Sequence, residues 1–69
     1  MIILGIDPGS SLIGYGAVKN ENGKIICLDY GVFEIAAKEN HLRLIEARKS
    51  LKKLLAEIKP DKVVLEKLF

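Results

Sequence analysis

Apolar and polar positions divide the chain into four extended segments and one helical segment. A short apolar run, Ile2 to Ile6 or Asp7, stops at Pro8-Gly9. Apolar residues on both of its faces predict a central strand. Leu12 to Lys19 alternates and predicts a second strand, and Lys24 to about Ile35 predicts a third. The Asn-Gly pair at 22–23 lies between these two and predicts a tight hairpin turn.

The apolar spacing becomes helical between about Asn40 and Lys59. Asn40 is the expected N-cap, Pro60 is expected to end the helix at Lys59, and lysines gather near that end, where the helix dipole favours them. After the helix, residues 61–69 form a second short apolar run that contains Glu66. The helix presents an apolar stripe formed by Leu44, Ala47, Leu51, Leu54, Leu55 and Ile58.

The predicted element order is β-β-β-α-β. The first three strands form an antiparallel meander, with Gly31 as an expected bulge in the third. A right-handed crossover through the helix makes the fourth strand parallel to the first, on its free side. The predicted fold class is therefore α/β, with a mixed sheet of order 3-2-1-4 and one helix on one face. Gly14 and Gly16 share a face of the second strand, which suggests a close approach there.

Composition narrows the class of protein without naming a function. Sixty-nine residues make one small domain, and a net charge of +2 does not by itself argue for nucleic acid. Cys27 is the single cysteine, so no internal disulfide is possible; we expect it in the core of a protein from a reducing compartment. No apolar run is long enough to span a membrane, and a cytoplasmic location is the expectation.

Two acids are the candidate chemical groups. Asp7 ends the first strand and Glu66 ends the fourth, so adjacent parallel strands bring both to one edge of the sheet. Two close carboxylates repel each other unless they share a proton or a cation, and Mg²⁺ prefers such oxygen ligands. Whether both side chains lie on the same face depends on the strand register, which the pattern leaves open. An Asp before Pro-Gly is otherwise an ordinary turn former.

Three segments together resemble the start of the RuvC family of Holliday junction resolvases. They are Ile3-Leu4-Gly5-Ile6-Asp7-Pro8-Gly9-Ser10, Gly14-Tyr15-Gly16 and Val64-Leu65-Glu66. The resemblance implies a ribonuclease H-like fold, with residues 1–69 as the N-terminal half of the nuclease domain. It implies a Mg²⁺-dependent endonuclease, with Mn²⁺ as a possible substitute, that resolves four-way DNA junctions in recombination and repair.

The same resemblance implies roles for particular residues and partners. Asp7 and Glu66 match the first two of four catalytic, metal-binding acids, and Phe69 stands where the family has an aromatic residue that enters the junction. The implied partners are a DNA junction, a second copy in a homodimer or swapped oligomer, and the branch-migration machinery. No Asp or Glu follows Glu66, so we expect residues 1–69 alone to be inactive.

Two other functions fit the pattern. One is a nucleotide-binding fragment of an actin-like ATPase, which also opens with a strand, Asp-x-Gly and a hairpin. The other is a non-catalytic remnant or assembly module, since a sheet covered by one helix exposes apolar surface. The helix's basic residues, which include Arg48 and Lys52, are expected to form a solvated face rather than a phosphate site.

Overall fold

The four strands and the helix form in the predicted order. The computed structural model describes residues 1–9 and 11–66. The sheet order is β3-β2-β1-β4; β1 is antiparallel to β2 and parallel to β4, which confirms the predicted topology. The elements are β1 (Ile2–Pro8), β2 (Leu12–Glu21), β3 (Lys24–Glu34), α1 (Asn40–Ile58) and β4 (Lys62–Leu65).

The β2–β3 hairpin turns at the predicted residues, but its bulge lies elsewhere. Asn22 and Gly23 both have positive φ, 52° and 78°, as a tight hairpin turn requires. The register shifts between Ala17 and Val18, and Gly31 pairs regularly with Tyr15, so the bulge predicted at Gly31 was wrong. A Cβ on Gly31 would lie 3.0 Å from the Tyr15 hydroxyl oxygen. Gly31 therefore makes room for an aromatic ring.

Helix α1 ends at Lys59 as Pro60 predicts, but its N-cap is not the predicted Asn40. Glu39 is the N-cap, with no side-chain hydrogen bond, and Asn40 is already helical. At the other end Lys59 adopts a left-handed conformation, and its N–H donates to the Leu55 carbonyl at 2.8 Å. The last turn contains no basic residue, so the predicted interaction of lysines with the helix dipole is absent there. No helix within the described residues is long and apolar enough to cross a membrane.

Packing is confined to one face of the sheet. Helix α1 covers this face mainly through Leu54, and the rings of Tyr15 and Phe33 pack at its margin. The radius of gyration, 13.0 Å, exceeds the roughly 11 Å typical of a compact chain of this length. The shape is therefore a thin slab with a small core. The buried residues are Leu4, Ile6, Ile13, Ala17, Ile35 and Leu54.

The other face of the sheet has no covering layer among the described residues. Tyr30 is 78% exposed and Val32 is 63% exposed, and Val64 on β4 is about half exposed. Cys27 lies on β3 and is exposed, so its predicted place in the core was wrong. The reason is that β3 is an edge strand and α1 packs over the other face, where Leu4 and Ala17 are buried.

Gly9 is required by a close backbone approach beside Asp7. Its N–H donates to the Leu12 carbonyl at 2.8 Å, and a Cβ there would lie 2.6 Å from that oxygen. We predict that Gly9→Ala destabilises the chain by about 1–3 kcal/mol in urea unfolding. Gly16→Ala is the matched control, because its Cβ meets nothing within 4 Å. Equal stabilities of the two variants would contradict this account of the turn.

We also predict that the chain self-associates. The open face exposes apolar side chains on an edge strand, and such edges pair readily with other chains. Light scattering across a wide concentration range should show a molar mass above the monomer. Val32→Lys should reduce it, whereas Leu44→Lys on the helix should not. A monomer at every concentration would show that the open face does not associate.

Candidate functional site

The structure places Asp7 and Glu66 on neighbouring strands at the same edge of the sheet. Asp7 lies near the end of β1, and Glu66 follows β4 directly. Ile6 pairs with Leu65, and the Glu66 N–H donates to the Ile6 carbonyl at 2.9 Å. The register continued by one residue sets Asp7 opposite Glu66. Paired strands lie about 4.8 Å apart, so one ion can reach both side chains.

The register also decides which face the two acids share. Gly5 pairs with Val64, two residues before each acid, and side chains alternate between faces along a strand. Asp7 and Glu66 therefore lie on the same face as Gly5 and Val64. Both acids line a single groove on the open side of the sheet, away from α1. This answers the question that the sequence pattern left open.

Glycines form the floor of this groove. Gly5 and Gly16 are paired across β1 and β2, and Gly14 is paired with Asp7. A Cβ on Gly16 would meet no atom within 4 Å, and one on Gly14 would lie 4.0 Å from the Asp7 Cβ. The groove has a volume of about 950 Å³ and is bounded on one side by Tyr30. The missing side chains therefore leave open space next to the carboxylates.

Both carboxylates are exposed and without a counter-charge in the described part of the chain. The hydrogen bonds and ion pairs found among residues 1–9 and 11–66 do not engage the side chain of Asp7 or Glu66. These residues also contain no cluster of three or more His, Cys, Asp and Glu side chains arranged to hold a metal. Two acids thus face one groove without a counter-charge among the described residues, and carboxylate oxygens are ligands that a divalent cation prefers.

Tyr15 lies behind the site, on the face covered by the helix. Its hydroxyl donates to an Asp29 carboxylate oxygen at 3.3 Å, and its ring centroid lies 6.2 Å from that of Phe33. Burial raises the pKa of the Tyr15 hydroxyl, and the Asp29 carboxylate raises it further. Tyr15 therefore stays protonated at neutral pH and acts as a packing residue.

The histidine and the basic residues of α1 do not join this site. Phe69 lies outside the described residues. His41 is exposed and lies 3.6 Å from the Glu39 carboxylate. Arg48 and Lys52 are exposed on α1, on the opposite side of the sheet from the groove. This placement supports the interpretation of the helix's basic residues as a solvated face.

Comparison with known proteins places these features in a family. The sequence model of "Crossover junction endodeoxyribonuclease RuvC" matches residues 3–69. The RuvC of Alkaliphilus metalliredigens is 46% identical over 70 residues, covering 100% of this chain and 43% of its own length. That of Syntrophomonas wolfei is 41% identical over 70 residues, covering 100% of this chain and 41% of its own length. The chain thus spans less than half the length of these relatives.

Solved structures agree with the sequence match. Thermus thermophilus RuvC in complex with a Holliday junction substrate superposes with a TM-score of 0.82 and 27% identity, covering 100% of this chain and 45% of that one. An exopolyphosphatase from Cytophaga hutchinsonii reaches a TM-score of 0.74 at 17% identity, covering 94% of this chain and 24% of that one, which shows a shared fold alone. With its ribonuclease H-like topology and a family match over almost every residue, the chain belongs to the RuvC family of crossover junction endodeoxyribonucleases.

Proposed function

We propose that this chain forms the N-terminal part of the nuclease domain of a Holliday junction resolvase, in which Asp7 and Glu66 hold the catalytic metal. The observation that carries the proposal is their shared face: parallel pairing of β4 with β1 aims both carboxylates into one open groove. The substrate is the phosphodiester backbone of a four-way DNA junction, which RuvC of Thermus thermophilus binds.

The two acids fit a hard divalent ion. They supply negatively charged oxygen ligands from two rigid strands, and no basic side chain lines the groove among the described residues. Mg²⁺ is the preferred ion, because it is commonly held by one or two protein carboxylates together with water and phosphate oxygens, and Mn²⁺ is a substitute. Such an ion supplies Lewis-acid activation of water and stabilises charge on the leaving oxygen during phosphodiester hydrolysis.

The chain's own residues set the geometry of that reaction. Asp7 and Glu66 fix the position of the bound charge, because Asp7 lies within β1 and Glu66 follows β4 directly, where its N–H is bonded to Ile6. The glycine floor at Gly14 and Gly16 keeps the space beside the carboxylates free of side chains. A scissile phosphate can therefore approach the acids from the open face.

The site is incomplete with these two acids alone. We propose that further acids come from residues beyond the matched segment, as the family resemblance implies. The same resemblance supports a homodimer that makes two symmetric cuts and that works with branch-migration machinery. Exposed apolar residues on the open face, such as Val32, leave surface for the rest of such a domain.

A chimera tests the function directly. Residues 1–69 would replace the matching segment of the Alkaliphilus metalliredigens relative, and the product would be assayed on a synthetic four-way junction. We expect Mg²⁺-dependent symmetric nicking, because the remaining part of the relative would supply the further acids of the site. Asp7→Asn and Glu66→Gln should each reduce the rate by roughly a hundredfold or more, as loss of charge stabilisation at a reacting centre does.

Glu34→Gln is the matched control, because Glu34 is an exposed acid at the end of β3 outside the groove. It should leave nicking unchanged. Residues 1–69 without the relative's segment should not cleave the junction. A folded chimera that binds the junction without cutting it, or one indifferent to Glu66→Gln, would refute the proposed roles.

Metal binding is expected to stabilise the isolated chain. A metal concentration of ten times the dissociation constant raises the free energy of unfolding by about 1.4 kcal/mol, which corresponds to a rise of about 6 °C or more in Tm. Asp7→Asn should abolish this rise, since one of the two charged ligands is gone. Thermal unfolding with Mn²⁺, Mg²⁺ and EDTA measures the shift in Tm. A metal-dependent shift that persists in Asp7→Asn would place the ion elsewhere.

A further inference from the structure

Asp61 attaches the start of β4 to the start of β1 with two hydrogen bonds. Its backbone N–H donates to the Ile2 carbonyl at 2.8 Å, and its carboxylate oxygen Oδ2 accepts the Ile2 N–H at 2.6 Å. One residue thus satisfies both backbone polar groups of Ile2. The side-chain bond is the unusual part, because a carboxylate takes the place of a strand carbonyl.

A slip of one residue between β4 and β1 breaks this contact. Met1 and Asn20 exchange both backbone hydrogen bonds, so odd-numbered residues of β1 direct their amides to β2 and even-numbered residues direct theirs to β4. A slip of one residue would set Asp61 opposite Ile3, whose N–H points to β2. The carboxylate would then lose its donor. Because N–H groups of β1 point alternately to β2 and to β4, the slipped pairing is less stable.

The register matters because β4 is short. Its pairing with β1 covers four residue pairs, and a one-residue slip moves every side chain to the other face. Glu66 would leave the groove, and Asp7 would remain there alone. The bonds from Asp61 to Ile2 and from Glu66 to Ile6 are the two ends of this pairing.

We propose that Asp61 is a positioning residue that sets the register of β4 on β1 and thereby holds the Glu66 carboxylate beside that of Asp7. Asp61 lies about 16 Å from Glu66 along the strand, too far to contact the metal or the DNA. Its importance for activity rests on the proposed function, whereas its effect on strand register can be tested without it.

The experiment compares Asp61→Ala with Asp61→Asn in the 69-residue chain. Asn keeps an oxygen that accepts the Ile2 N–H, so it should restore what Ala removes. Amide hydrogen exchange of the Glu66 N–H reports the register, and broadening of the Asp7 and Glu66 signals by Mn²⁺ reports the site. Asp61→Ala should lower Glu66 protection and Mn²⁺ affinity by roughly tenfold each, and Asp61→Asn should stay near wild type.

Two further variants exclude indirect effects. Asp29→Ala removes an exposed acid on β3 that accepts the Tyr30 N–H and the Tyr15 hydroxyl, and it should change neither the Glu66 protection nor the Mn²⁺ affinity. Ile2→Pro removes the N–H that donates to Asp61, together with the half-buried Ile2 side chain, at a strand's first position, where proline is tolerated. It should reproduce the effect of Asp61→Ala while leaving protection in β2 intact.

Each outcome decides the proposal. Unchanged Glu66 protection in folded Asp61→Ala and Ile2→Pro would overturn it. Loss of the whole sheet in both variants would also overturn it, because Asp61 would then support global stability rather than register. If wild type shows no Mn²⁺ broadening at Asp7 and Glu66, the proposed metal site fails, and the exchange of the Glu66 N–H still decides the role of Asp61.

Discussion

The parallel pairing of β4 with β1 is the contact on which the candidate site depends. It joins residues almost sixty positions apart, and it follows from the crossover through α1, which returns the chain to the free side of β1. Neither Asp7 nor Glu66 is unusual by itself, since each is an exposed acid at a strand end. The pairing converts two ordinary acids into a potential pair of metal ligands.

One face of the sheet packs against α1 and the other stays open, which explains why the core is small. Leu4, Ile6 and Ala17 point toward α1 and are buried. On the other face Gly5, Gly14 and Gly16 offer no side chains to pack, which leaves the groove open beside the acids. The same fold occurs in an exopolyphosphatase with little sequence similarity. Fold alone therefore does not specify a function, which has to be argued from the residues of the site.

Two errors in the sequence-based predictions concern contacts between distant residues, whereas the N-cap at Glu39 rather than Asn40 is a local one. The bulge lies at Leu28, which has no partner opposite Ala17 and Val18, whereas Gly31 pairs regularly and accommodates the Tyr15 ring from the neighbouring strand. Cys27 is exposed because its strand lies at the sheet edge. The sequence pattern identifies Gly31 and Cys27 as strand residues. The surroundings of each, however, depend on other elements of the fold.

The sequence by itself determined the element order, the strand order and the two acids, because apolar periodicity, Asn-Gly at 22–23 and Pro60 act over a few residues. Only the tertiary structure decided that Asp7 and Glu66 share a face. The shared face depends on the exact register of β4 on β1. That register involves hydrogen bonds between residues at opposite ends of the chain. A period-two pattern is equally satisfied by either side of the sheet until a partner strand is in place.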